Sequence, residues 1–145
     1  MKITFEKIDE EQEDEIIVRS SQQNPELMHA LATLGSKELI FTAYKGEEIF
    51  RIAPEEIFYV EAVERNTFIY CEDEVLEIKY KLYEVEEMLT PHNFFRISKS
   101  MLVNLLQIRS FAPAATGRLK AVMKNGEKVL ISRHYVVELK ELLDM

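Results

Sequence analysis

The sequence predicts a mostly β fold with short helices, of the α+β class, and three observations carry that expectation. From residue 36 onward, short runs rich in aromatic and β-branched residues recur at close spacing. Turn signals separate them, among them Lys45-Gly46 and Asn125-Gly126, the latter a strong short hairpin signal. Apolar residues recur at helical spacing in three stretches, 25–34, 81–89 and 134–143. A length of 145 residues fits one domain with a small appendage.

Residues 1–8 alternate Ile3 and Phe5 with polar positions, the pattern of a half-buried strand. An acidic connector, 9–15, leads to a second expected strand at 15–19. Asn24-Pro25 opens a helix: Asn caps, Pro occupies the first turn, and Glu26 suits the positive end of the helix dipole. Leu27, Met28, Leu31 and Leu34 form its apolar stripe, and Gly35-Ser36 ends it. This places a boundary between an N-terminal strand–strand–helix extension, 1–35, and a main domain, 36–145. In the main domain, strands are expected at 39–43, 48–52, 57–62, 67–71 and 75–78. A helix over 81–89 follows, with Leu82, Val85, Met88 and Leu89 inward, Glu84, Glu86 and Glu87 on a solvated face, and Thr90-Pro91 as its stop. Next come a strand through Ile97 with Phe95 in the core, a short helical turn over 98–104, and a strand over 105–111. After a loop at 112–117, strands at 118–123 and 127–131 flank Asn125-Gly126. Ser132 caps a last helix, 134–143, with Tyr135, Val136, Leu139, Leu142 and Leu143 inward.

Composition excludes several classes. There is no run of 18 apolar residues and no charged-then-apolar leader, so a soluble, cytoplasmic protein is expected. The lone Cys71 makes neither an internal disulfide nor a Cys-based zinc site, and the neighbouring Glu72, Asp73 and Glu74 would raise its pKa. Gly35, Gly46, Gly117 and Gly126 are isolated, so no phosphate-binding glycine loop exists, and His29, His92 and His134 lack metal-ligand spacing. No catalytic pattern, cofactor or metal is expected. The net charge of −8 is unevenly spread. Residues 1–35 carry three bases against eight acids, a net −5, whereas 92–135 carry eight bases against Glu127 alone, a net +7. That asymmetry is the footprint of a polyanion-binding face.

Three polar junctions stand out. The first is 94–105, where Ser98-Lys99-Ser100 interrupts an apolar run and Asn104 sits inside a second one. A buried Asn needs partners, so Asn104 either closes a local turn or stands at a rim, where its amide can pair with an adenine edge. The second is Ser132-Arg133-His134, at a strand-to-helix handover. Free backbone N–H groups there favour phosphate, and the Arg133 fork suits guanine or phosphate oxygens. The third is the turn Glu64-Arg65-Asn66-Thr67, which reads equally as a plain β-turn or as a contact.

The run Phe95-Arg96-Ile97-Ser98-Lys99-Ser100-Met101-Leu102-Val103-Asn104, followed by Asn125-Gly126 and by Ile131-Ser132-Arg133 before a terminal amphipathic helix, resembles the LytTR family of bacterial DNA-binding domains. The resemblance covers about residues 36–144. It implies short strands in packed small sheets and loops that enter successive major grooves of double-stranded DNA. Base contacts would fall on Asn104 and Arg133, with a third on Asn66 or Thr67. Lys99, Ser100, Ser132, His134 and Arg65, on the loops around 64–67, 98–104 and 132–134, would also touch DNA, with Lys99 and other lysines of the basic window on phosphates. It further implies a transcriptional regulator acting as a homodimer on DNA. With only 35 residues before the domain, the chain is similar to members that lack a receiver domain, which are often held in check by a small membrane protein. The rival expectation is a non-catalytic protein-interaction module acting through the acidic N-terminal segment, with residues 1–35 as a dimer or regulatory contact.

Overall fold

Among the described residues, ten short strands form two antiparallel sheets, with a helix against one face of the larger and another closing the smaller. The computed structural model describes residues 2–22, 24–35 and 39–145. In chain order the elements are α1 (Pro25–Gly35), β1 (Phe41–Lys45), β2 (Glu48–Ile52), β3 (Tyr59–Val63), β4 (Asn66–Tyr70), β5 (Val75–Ile78) and α2 (Leu82–Leu89). Then come β6 (Phe94–Ser98), β7 (Met101–Asn104), β8 (Ile108–Pro113), β9 (Leu119–Met123), β10 (Lys128–Ile131) and α3 (Arg133–Leu142). Short 3-10 turns at Pro54–Glu56, Thr90–His92, Leu105–Gln107 and Ala115–Gly117 link them. The larger sheet has the order β2-β1-β5-β4-β3-β7-β6 and the smaller β10-β9-β8.

Period-two alternation gives each sheet a buried face. Phe41, Val60, Ile69, Leu76 and Leu102 point to one side of the larger sheet, where Leu82, Val85 and Leu89 of α2 cover them. At the β3-β7-β6 end the opposite face is also buried. There Ile97 and Val103 meet Leu119, Met123 and Ile131 of the smaller sheet and Val136 and Leu139 of α3. Strand β6 therefore serves both cores: Phe94 faces the first, while Phe95 and Ile97 face the second. Phe95 is half-buried, its ring edge-on to Tyr135 of α3 at 6.4 Å. Beside this core Tyr59 stacks on Tyr70 at 4.2 Å, and burial, then the Glu127 carboxylate of the β9–β10 turn, pushes its phenol pKa upward.

Two expected features are corrected. Residues 2–8 and 15–19 are not strands. A strand needs a ladder partner, and these segments stand off the described domain: Ile3 is 89% and Phe5 92% exposed, and Ile16 and Ile17 are exposed too. The extension is thus an exposed segment followed by α1, whose N-terminus Asn24 does cap, its Oδ1 accepting Glu26 N–H at 3.0 Å. Residues 36–38, where the boundary was expected, and Met1 lie outside the described residues. The helical turn expected over 98–104 is instead a two-residue hairpin, Lys99-Ser100, leading into β7. Met101-Leu102-Val103 reads as helical or extended by its local pattern. The open ladder edge of β3, which pairs Tyr59 with Val103 and Val60 with Leu102, decides for a strand.

Smaller details around α2 and α3 are local. Thr90-Pro91 ends α2 at Leu89 as expected, and the chain runs on into a 3-10 turn, with Thr90 Oγ1 donating to Glu86 O. Glu84 is not merely solvated, since its carboxylate accepts Lys81 N–H at the start of α2, satisfying a donor there. Leu142 faces solvent. Among the described residues, no helix is long and apolar enough to cross a membrane.

Since Ile97 is fully buried between the sheets, Ile97→Ala is expected to cost about 2–5 kcal/mol in a urea unfolding titration. Phe5→Ala, at an exposed position, should stay within about 0.5 kcal/mol of the parent.

Candidate nucleic-acid interface

Tertiary pairing gathers the polar junctions at one end of the molecule. Strands β3 and β7 run antiparallel with Glu61 opposite Met101, so the Glu64-Arg65 turn and the Lys99-Ser100 turn lie side by side. Ala62 N–H donates to Ser100 O at 2.8 Å and ties them together. The third junction is joined through a bulge. Arg96 pairs with Leu102 and Ser98 with Met101, which leaves Ile97 as the extra residue. The Ile97 carbonyl accepts Ser132 N–H at 2.8 Å, fixing the start of α3 against the end of β6.

A fourth loop arrives that the sequence reading left unassigned. Leu119 pairs with both Pro113 and Ile131, so the 114–118 connection sits at this same end. Gly117, at φ +75°, lies under the Arg133 stem. A Cβ built there would come within 3.2 Å of Arg133 Cδ, so this position favours glycine both sterically and conformationally. Arg118 is exposed beside it, its Nε donating to Ala115 O at 3.1 Å. A glycine between Thr116 and Arg118 was the signal in the sequence, but its meaning depends on Arg133, sixteen positions away.

Arg65, Asn66, Lys99, Ser100, Arg118, Arg133 and His134 are exposed at this end, with Ser132 half-buried. Ser132 occupies the N-cap position of α3 without a side-chain capping bond. Its carbonyl accepts Tyr135 N–H at 2.9 Å. The basic window is split by the fold. Lys99, Arg118 and Arg133 lie here, while Lys124 and Lys128 flank the Asn125-Gly126 turn at the far end of the smaller sheet. The expectation that lysines of the window share one face is corrected accordingly, because strand direction alternates within it.

Two expected contact residues are inside the protein. Asn104 is 2% exposed. Its Nδ2 donates to Ile57 O at 2.9 Å and its Oδ1 accepts Leu106 N–H at 3.0 Å, so the side chain locks the β7 exit, away from the loop cluster. Thr67 is 4% exposed, within β4 between Ala62 and Ile78. The tight turn there is Glu64-Arg65, with Glu64 at φ +57°.

Away from this end, a shallow cleft of about 230 Å³ lies at the opposite end of β7, with Pro54, His92, Asn104 and Gln107 among its lining residues. The Cys71 thiol is pushed up to about 11, chiefly by burial and then by Glu56 and Glu74. The upward direction matches the sequence expectation, although burial is the largest cause and, of the three neighbouring acids, Glu74 alone is among the causes.

Exposed Arg, Lys, Asn and Ser side chains on short loops at one end of a β domain define a polyanion-binding module. The model of the LytTr DNA-binding domain matches residues 47–144, and the chain belongs to that family. The LytTr DNA-binding domain of a methyl-accepting/DNA response regulator from Bacillus cereus superposes with a TM-score of 0.71 at 26% identity, covering 76% of this chain and all of that one. The sensory transduction protein LytT of Enterococcus faecalis is 28% identical over 138 residues, 94% of this chain and 57% of that protein. An uncharacterized HTH-type transcriptional regulator of Staphylococcus aureus is 28% identical over 109 residues, 75% of this chain and 74% of that protein. The chain thus carries a LytTr DNA-binding domain on a mostly β fold with short helices.

Two measurements check this geometry. Asn104→Ala should lose about 1–3 kcal/mol for each backbone group left unpaired, read by chemical denaturation, while the folded fraction keeps its DNA affinity. Alkylation of Cys71 in the folded protein should be negligible near pH 7, where the thiol is protonated, and rise as pH approaches 11. Rapid labelling at neutral pH would contradict a raised thiol pKa at this half-buried position.

Proposed function

We propose that this chain is a sequence-specific transcriptional regulator that reads double-stranded DNA with its loop cluster. The observation that carries the proposal is that Ala62 N–H on Ser100 O and Ser132 N–H on Ile97 O draw three separate polar junctions together, with Lys99 and Arg133 exposed. Arg133 is the base reader, its planar fork matching guanine O6 and N7. Asn66 is a second candidate, being exposed where Thr67 is not. Lys99, Arg65 and Arg118 neutralise phosphates, and Ser132, His134 and the backbone N–H groups opening α3 accept a phosphate along the helix dipole. Asn104, bonded to Ile57 and Leu106 at the opposite end of β7, makes no contact with DNA in this reading.

The chain acts in the cytoplasm of a bacterium as a homodimer on DNA, each copy taking one half-site. Exposed Ile3, Phe5, Ile16 and Ile17 favour an association role for the segment before α1. The resemblance to family members controlled by a small membrane protein makes such an antagonist part of the proposal. Sedimentation of the full chain and of a chain starting at residue 24, with and without duplex, tests the association role. Equal association states would remove it.

Selection from a random duplex pool, followed by fluorescence anisotropy on the enriched and scrambled duplexes, tests the main proposal. Arg133→Ala should lose about 1–3 kcal/mol on the enriched duplex and little on the scrambled one. Lys99→Ala should weaken both and flatten the dependence of log K on log salt by about 0.9. Equal losses for Arg133→Ala on both duplexes would make Arg133 a phosphate contact. The absence of an enriched motif would overturn sequence-specific reading.

A further inference from the structure

Two-residue hairpin turns ordinarily place residues at positive φ so that the turn follows the strand twist. The Lys99-Ser100 turn does not, since neither residue is at positive φ. Side chains hold it instead. Ser98 Oγ accepts Ser100 N–H at 3.2 Å. Arg96 reaches along the same strand: its Nε donates to Ser98 O at 2.7 Å and its Nη2 to Lys99 O. The remaining arm of the fork, Nη1, pairs with Glu86 of α2 at 3.3 Å. The Arg96 side chain is 23% exposed, and all three of its nitrogens are thus engaged within the fold.

We propose that Arg96, anchored by Glu86 of α2, is a positioning residue for DNA binding: it fixes the turn carbonyls so that Lys99 and Ser100 are presented already ordered. The inference rests on the loop-cluster reading above and adds a residue that does not itself meet DNA. A guanidinium suits this role because its planar fork satisfies two turn carbonyls and a carboxylate at once, whereas an ammonium is a single point with no fixed fork. Without the brace, the turn must lose backbone freedom on binding, and affinity falls by that amount. The connection also makes α2, which lies on the other face of the sheet, part of the support of the interface.

The test is a double-mutant cycle in the full chain, read by anisotropy on the enriched and scrambled duplexes across salt concentrations, with melting recorded for every variant. Arg96→Ala is expected to weaken binding on the order of tenfold with an unchanged salt slope. Arg96→Lys, which keeps charge and stem without the fork, should not restore it. Lys99→Ala should cost clearly less in the Arg96→Ala background than in the parent, because Lys99 is no longer held in place. Should Arg96→Ala fail to fold, Arg96→Lys carries the same cycle. Additive losses with a slope shallower by about 0.9 would make Arg96 a phosphate contact and overturn the proposal. Unchanged affinity in folded Arg96 variants would overturn it as well, while a loss in Lys99→Ala left the DNA reading intact. No effect of Lys99→Ala in the parent would instead remove the interface reading, and the Arg96 inference with it.

Discussion

Strand β6 must bury side chains on both of its faces, and most of the architecture follows from that requirement. Phe94 fills the core under α2, while Phe95 and Ile97 fill the core against the smaller sheet and α3. A strand buried on both sides at an edge of its sheet still has backbone groups to satisfy. The bulge at Ile97 meets this need by freeing a carbonyl, which then takes Ser132 N–H. One hydrogen bond thereby couples the two sheets and sets Arg133 beside the Lys99-Ser100 turn.

The buried polar groups are used in the same way. Asn104 and Thr67 are the buried polar residues of the described chain. Asn104 joins residues 57 and 106, far apart in sequence, and closes the end of the larger sheet opposite the loop cluster. The two ends of β7 therefore differ in kind: one is locked by an internal amide, and the other carries exposed Lys99 and Ser100. A residue that looks like a base reader in sequence can be a purely internal lock, its amide spent on backbone groups.

Much of the strand pattern was legible locally. Alternation located β1 to β5, Asn125-Gly126 located the β9–β10 hairpin, and Asn24-Pro25 located α1. Legibility failed where the local pattern lacked information about pairing. Ile3, Phe5, Ile16 and Ile17 have strand periodicity but no ladder to join among the described residues. Met101-Leu102-Val103 has no clear period and became a strand through β3. In the interface, Lys99 and Arg133 were visible as exposed polar positions at junctions. Arg118 and Gly117 were not, because their relevance comes from the Leu119–Ile131 pairing and the Arg133 stem.

The sequence by itself determined the fold class, the strand-rich domain after residue 36, the basic bias of residues 92–135, and the family through its Phe-Arg-x-x-Lys-Ser-x-Leu-Val-Asn run. These depend on composition, short-range periodicity and local turn chemistry, all of which are properties of neighbouring residues. Only the tertiary structure decided which bases share a surface, dividing Lys99, Arg118 and Arg133 from Lys124 and Lys128 by strand direction. It also decided that Asn104 and Thr67 point inward and that Arg96 braces a turn. Whether a polar side chain meets solvent or a backbone carbonyl depends on the chain that packs against it, and Asn104 meets Ile57 from 47 residues away.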